Sequence, residues 1–497
     1  MILNLALICS SAILLVLIHP GWNWTFLAPV ALTPLLIGCA RETDWKRRLL
    51  YGEIAGVIYW FALCHWIQFV LAYHGGMGEP GGWGAFALFC LAKAAHMAVY
   101  CAIVGPLLRL WYALPAAAAL WVGIERTHGP LGFAWLMLGN AGIDMEIPMR
   151  LAPRVGVYGL SFLFAMLAAG AAVAILRQPR FRLIPLVVFA GLIGLPPLPP
   201  AEEGRETAAT VQPNVPQDER WTDEAVTRYT RKSVILALQA VLEPGQNKPV
   251  LLLWPESPAP FYFDTDREFR AEAQRLARVA GTYFLFGTVS FTKDSQPLNS
   301  AVLLDPKGEQ ISRYDKMFLV PFGEFIPPGF WFINRITKEA GDFAPGRQVV
   351  VSAMGDHKIG AFICYESAFP HLVRQFAEGG AEVLINLTND GYFGRTIARE
   401  QHLMLARMRA AENRRWLLRP TNNGITASID PAGRLLQTMP QHQDGAGRLR
   451  FNWIAEKTMY TRSGDWFAWS CLALGLVTAG TGWRRSLKSR SNKKFES

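Results

Sequence analysis

The chain has 497 residues, of which 51% are hydrophobic and only 18% charged, and it carries a net charge of +10. That balance is too apolar and too weakly charged for an ordinary soluble enzyme, and the length admits more than one folding unit. The positive charge could suit nucleic acid. The basic residues, however, cluster beside apolar segments (Lys46-Arg47-Arg48; Arg177, Arg180 and Arg182; Arg484 to Lys494). This is the pattern of cytoplasmic flanks of membrane helices, so no nucleic-acid partner is expected.

Ile2–Ile18 is apolar and uncharged. It lacks a basic leader, and His19-Pro20-Gly21-Trp22 makes a poor cleavage site, which predicts a retained membrane helix. Trp24–Ala40 (with Pro29 and Pro34), Leu49–Tyr73 and Trp83–Leu110 read as the next three spans. Leu114–Ile124 is short and ends at Glu125-Arg126, so it reads as a fifth span with a polar end. Val155–Leu176 and Leu183–Leu195 follow, the latter closed by Pro196-Pro197-Leu198-Pro199-Pro200. Trp466–Trp483 brings the total to about eight. With Lys46-Arg47-Arg48 in the cytoplasm, alternation puts Arg109, Arg177–Arg182 and the basic tail on the same side. The polar region between residues 198 and 465 is then extracytoplasmic.

That region spans about 265 residues, a size suited to one α/β domain. Apolar, β-rich runs recur at Pro249–Leu253, Thr282–Val289, Ser300–Leu304, Lys358–Ile363 and Glu382–Leu387. Helical patterns such as Asp264–Val279 and Arg399–Arg415 lie between them, which predicts layered α/β structure. No internal repeat is visible. Six of the seven cysteines lie in apolar segments, and Cys364 alone lies in the polar part. A disulfide within that domain is therefore impossible, and C-x-x-C metal spacing is missing as well.

Three short segments carry chemistry, each at the end of an apolar run. In Leu252-Leu253-Trp254-Pro255-Glu256-Ser257, a carboxylate follows a buried strand, where desolvation suits it to general-base work. Taken alone, a solvated loop glutamate is the commoner reading. In Arg313-Tyr314-Asp315-Lys316-Met317, Lys316 could be a fixed cation opposite an oxyanion, or a surface lysine paired with Asp315. In Ile363-Cys364-Tyr365-Glu366, a strand delivers a thiol to its end, although a lone cysteine is more often a packing residue. A thiol needs an adjacent base or cation to act as a nucleophile, and a Glu and a Lys could supply both. His402, in a helical pattern, reads as structural.

Glu256 in W-P-E, Lys316 in Y-D-K and Cys364 in I-C-Y-E, in that order, resemble the nitrilase (carbon–nitrogen hydrolase) superfamily. Further matches are Val320–Glu324, Asn389–Gly394, His402 with Ala406–Ala410, and Leu418–Gly424; upstream, Gly156–Phe162 and Gln212–Gln217 fit too. With membrane helices on both sides of the domain, nearly the whole chain resembles the apolipoprotein N-acyltransferase family. One departure is Asn389-Asp390-Gly391-Tyr392-Phe393, where the family more often has a small residue and Trp.

The resemblance implies an α/β fold, a nitrilase-like αββα four-layer sandwich on an α-helical transmembrane base. The expected divisions are residues 1–197 (about seven helices), 198–463 (the catalytic domain) and 464–497 (a last helix and basic tail). It implies a two-step acyl transfer through a Cys364 thioester, from a phospholipid to the α-amine of a diacylglyceryl-cysteine at a lipoprotein N-terminus. Phosphatidylethanolamine is the expected donor. Glu256 would be the base, and Lys316 and the Tyr365 backbone N–H would hold the oxyanion. Glu324 and Glu366 would orient Lys316 and the attacking amine. Trp221 and Asn299 are the expected substrate-binding residues. No cofactor or metal is implied, and the chain is expected to act as a monomer. The implied location is the bacterial inner membrane, with the catalytic domain on the periplasmic side. Acyl chains leave a bilayer at a cost of about 0.8 kcal/mol per CH₂, which favours a site at the membrane. A membrane-anchored amidase and a catalytically idle assembly component remain the alternatives.

Overall fold

The computed structural model describes residues 2–130, 132–177, 184–325 and 343–495; side chains at 184–186, 189 and 481–495 are not among those described. The chain divides into two units, one of Met1–Gln68, Trp83–Leu198 and Ser463–Ser497, the other of Phe69–Gly82 and Pro199–Arg462.

The first unit is helical. Gly78–Leu107 and Ala152–Leu176 are long and apolar enough to cross a membrane. Trp45–Cys64 with Trp66–His74 adds a third if this pair, bent by 63°, counts as one span. Ile2–Leu17 and Trp466–Gly480 are apolar but shorter. The expected span at Trp24–Ala40 is split into a 3-10 turn, Thr25–Val30, containing Pro29, and a helix, Thr33–Arg41, with Pro34 in its first turn. A proline lacks the N–H and crowds the preceding turn, so one straight helix cannot run through both. The span expected at Leu183–Leu195 begins outside the described residues, as do Arg180 and Arg182; the described helix there is Ile184–Ile193.

Two features of this unit follow from side-chain size and charge. On the helix Trp45–Cys64, a Cβ at Gly52 would lie 2.8 Å from Ala98 Cα, and one at Gly56 would lie 2.7 Å from Ala94 Cα. The small-x-x-x-small spacing lets that helix lie against Gly78–Leu107 backbone to backbone. The helix Ala113–Arg126 ends in charge because Arg126 Nε lies 2.9 Å from Asp465, with both side chains buried, and its guanidinium stacks 4.6 Å over Trp469.

The second unit holds twelve strands among the described residues. They are β1 (Glu206–Gln212), β2 (Leu251–Leu253), β3 (Tyr283–Phe291), β4 (Pro297–Leu304), β5 (Gln310–Asp315), β6 (Val351–Met354), β7 (His357–Ile363), β8 (Val383–Leu387), β9 (Trp416–Arg419), β10 (Ala427–Ile429), β11 (Leu435–Thr438) and β12 (Gly445–Phe451). They form two six-stranded sheets, β12-β1-β2-β3-β4-β5 and β6-β7-β8-β9-β10-β11. Read from β12 and from β6, each sheet has the same run of pairings: antiparallel, parallel, parallel, antiparallel, antiparallel. The topology therefore repeats although the residues do not.

Each sheet carries helices on its outer face. Asp223–Val241 and Arg267–Ala280 cover the first, and Pro370–Glu378 and Ala398–Asn413 the second. Period-two alternation sends Ala209, Val211, Leu252, Phe284, Phe286, Val302 and Leu304 into a core with Ala237, Phe269, Ala273 and Leu276 of the covering helices. The helix Arg267–Ala280 is capped by Asp266, whose carboxylate accepts from Glu268 N and Phe269 N, and it ends at Gly281 in the left-handed region. The inner faces meet through polar pairs as well, with Ser312 and Ser352 hydroxyls 2.7 Å apart. The result is an α/β sandwich of four layers, αββα.

Candidate active site

Leu251–Leu253 is wholly apolar and buried, as a central parallel strand requires. Its continuation still runs beside β3, with Trp254 N donating to Leu285 O at 3.0 Å and Gly287 N to Pro255 O at 3.2 Å. A Cβ at Gly287 would lie 2.5 Å from Ser257 N and 2.7 Å from Glu256 Cα, so only glycine admits this approach. The chain thus delivers Glu256 to a fixed place. β5 ends at Asp315, and Lys316 follows with its N–H on Asn299 O at 2.8 Å and its carbonyl accepting from Gly346 N at 2.7 Å.

There the side chains converge. Lys316 Nζ donates to Glu256 Oε1 at 3.1 Å and to Glu324 Oε1 at 2.9 Å. Asn299 Nδ2 donates to the same two oxygens, each at 2.8 Å. Asn389 N donates to Glu256 Oε2 at 2.9 Å, and Val320 N to Glu324 Oε2 at 2.8 Å. Lys316 is 1% exposed. Burial alone would lower its pKa, but Glu256 and then Glu324 hold it well above the usual lysine range. An ammonium has three hydrogens, and among the described residues two are committed to carboxylates. Glu256 has about four acceptor positions, three of them used, and the open one is on Oε2.

Cys364 follows β7 and opens a short 3-10 turn, Cys364–Ala368. Its φ is 51°, a left-handed value that costs a side-chain-bearing residue roughly 1–3 kcal/mol. Burial, then the charge of Glu256, push the thiol well above the ordinary cysteine range, while Lys316 pulls the other way. The resting group is a thiol that needs a base.

Glu366 ties the two sheets together at this end. Its Oε1 accepts from the Tyr314 hydroxyl (2.7 Å), Met317 N (2.7 Å) and Phe318 N (3.2 Å), and its Oε2 accepts from Ile363 N (2.7 Å). It fixes the backbone just after Lys316 and just before Cys364 without touching Nζ. Burial pushes its carboxyl up to about 7 against the pull of these donors.

Behind the cysteine lies a buried charged group. Asp390 Oδ1 is 2.9 Å from His402 Nδ1, and both Asp390 oxygens accept from Arg419 Nη2 (3.0 and 3.1 Å). Burial would raise the Asp390 carboxyl, but Arg419 and His402 bring it down to about 2. A depressed carboxylate contributes stability above its unfolded pKa near 3.8 and loses it as pH falls through about 2. Thermal melts should therefore show the wild type losing stability between about pH 4 and pH 2, with Asp390→Asn less stable at pH 7 and flatter in that window. Parallel curves would contradict the assignment.

The motifs pointed to Glu256, Lys316, Cys364 and Glu324, and the first, second and fourth are in direct contact. Asn299 is the clamp between the carboxylates, and its buried Oδ1 has no partner among the described residues. Tyr365 is buried, with its ring edge-on to Phe369 at 5.1 Å. Trp221 is 38% exposed and packs edge-to-face on Tyr229 at 5.9 Å. The sequence did not single out Asp390 or the Asn389 N–H, for which the Asn-Asp-Gly run was the available signal, and it read His402 as structural. Among the described residues no group of three His, Cys, Asp or Glu side chains is arranged to hold a metal.

Residues 207–448 match the carbon–nitrogen hydrolase family model. Residues 11–170 match the model of the apolipoprotein N-acyltransferase N-terminal domain. An apolipoprotein N-acyltransferase from Geobacter metallireducens is 33% identical over 509 residues, covering 96% of this chain and 94% of its own. One from Methylococcus capsulatus is 32% identical, covering 92% of each. A variant of an amidase from Nesterenkonia sp. AN1 gives a TM-score of 0.39 at 20% identity, over 52% of this chain and 96% of its own. The chain belongs to the apolipoprotein N-acyltransferase family and is an acyltransferase.

Proposed function

We propose that the chain moves a fatty acyl group from a membrane phospholipid to the α-amine of an N-terminal diacylglyceryl-cysteine, through a thioester on Cys364. The observation that carries this reading is the sharing of Lys316 Nζ between Glu256 and Glu324, whose charges act on the buried Cys364 thiol.

Glu256 Oε2 takes the thiol proton as sulfur attacks the ester carbonyl. The tetrahedral oxyanion is held by the third hydrogen of Lys316 and by the Tyr365 N–H. The C–O bond breaks, the lysophospholipid oxygen takes the proton from Glu256, and the acyl group remains on sulfur. The lipoprotein amine then attacks the thioester, Glu256 accepts a proton from the nitrogen, and the C–S bond breaks. The leaving thiolate takes that proton back. Asn299 Oδ1 offers the incoming amine an acceptor. Trp221 contributes an aromatic contact for the acyl chain. Phosphatidylethanolamine is the proposed donor. The basic flanks favour a catalytic unit on the periplasmic side of a bacterial inner membrane.

Chasing the acylated enzyme with a diacylated lipopeptide separates this reaction from hydrolysis. Transfer predicts that acyl mass moves to the peptide faster than it is lost to water. Loss to water at the same rate with and without peptide would make the chain an amidase-type hydrolase.

A further inference from the structure

We propose that the buried Asp390–His402 pair sets the strength of the oxyanion donor by gripping the peptide group that joins Cys364 to Tyr365. This rests on the reading of the Tyr365 N–H as an oxyanion ligand, and it assigns His402, which touches no reacting atom, a positioning role.

His402 Nε2 is 2.9 Å from the Cys364 carbonyl oxygen. A carbonyl only accepts, so Nε2 carries the hydrogen. Asn386 Nδ2 reaches the same oxygen at 3.4 Å. That oxygen and the Tyr365 N–H belong to one planar peptide unit. Donation to the carbonyl draws electron density through the unit and makes its N–H a stronger donor. The same grip holds Cys364 at its left-handed φ of 51°. The ring is held in turn at Nδ1 by Arg419 Nη2 at 3.0 Å together with Asp390 Oδ1 at 2.9 Å, and the His402 and Asp390 side chains are fully buried. Asp390 is anchored by Arg419 and closed in by Gly424, where a Cβ would lie 2.0 Å from Asp390 Oδ2. A packing histidine would need only some acceptor; this one uses the carbonyl of the proposed nucleophile.

The test compares two reactions of Cys364 in the full-length protein. Acylation by phosphatidylethanolamine develops an oxyanion, whereas alkylation by iodoacetamide is a substitution at a saturated carbon and develops none. His402→Phe should slow acylation by about 10–100-fold, less than the ~10²–10³ for losing a donor outright, and leave alkylation within about threefold. His402→Gln, which keeps an N–H, should recover most of the acylation rate. Asp390→Asn, of nearly unchanged size, should also slow acylation and spare alkylation. Equal slowing of both reactions in these variants, or unchanged acylation in His402→Phe, overturns the proposal. A wild type that never forms an acyl-enzyme overturns the thioester reading itself, a separate result.

Discussion

Lys316→Met should abolish acyl-enzyme formation and lower the melting temperature of the protein. Among the described residues the substitution leaves Glu256 and Glu324 bridged only by Asn299, with side chains 9% and 14% exposed. Removing one partner of a buried ion pair costs about 3–5 kcal/mol, because the remaining charge stays uncompensated. Losing an oxyanion donor adds a further ~10²–10³ in rate. Lys316→Arg should not rescue, since the larger planar guanidinium does not fit a point-charge site between two carboxylates. Acylation rates and thermal melts of the purified variants check both halves. A Lys316→Met protein that acylates at even a tenth of the wild-type rate would remove Lys316 from the mechanism.

Glu256→Gln should have the second largest effect, with an instructive split. The amide keeps an oxygen for Lys316 and Asn299 but cannot take a proton from sulfur, so acyl transfer should fall by about 10²–10⁴. The same change removes the negative charge that helps to raise the Cys364 thiol and leaves Lys316 to pull it down. The pH midpoint for iodoacetamide alkylation should therefore move lower while acyl transfer is lost. A midpoint that rises or stays put would mean that the two side chains do not share one electrostatic site.

Glu256 and Cys364 could be picked out in the sequence because each follows an apolar strand end, β2 and β7, whereas Lys316 follows the polar β5 and stood out only through its motif. What holds them in place was harder to see. Asn299 lies in an ordinary-looking strand, and its role as clamp appears only when β4 pairs with β5 and brings it beside Lys316. Glu366 was read as an orienting group for Lys316, and it acts through backbone N–H groups at 317, 318 and 363, which no side-chain motif records. His402 read as structural, and its contact with a backbone carbonyl 38 positions away is one that no motif records. The repeated sheet topology left no trace in residue identity, since pairing order is a property of backbone connections. In the helical unit, hydropathy located the apolar segments, but the prolines at 29 and 34 decided where one of them breaks.

The central claim is a covalent acyl group on one cysteine. Intact-mass spectrometry of the purified protein after incubation with phosphatidylethanolamine tests it directly, with Cys364→Ala alongside. The expected result is a fatty-acyl increment on the wild type, released by hydroxylamine and missing from Cys364→Ala. A folded wild type that gains no acyl mass, or an increment that persists in Cys364→Ala, would contradict it.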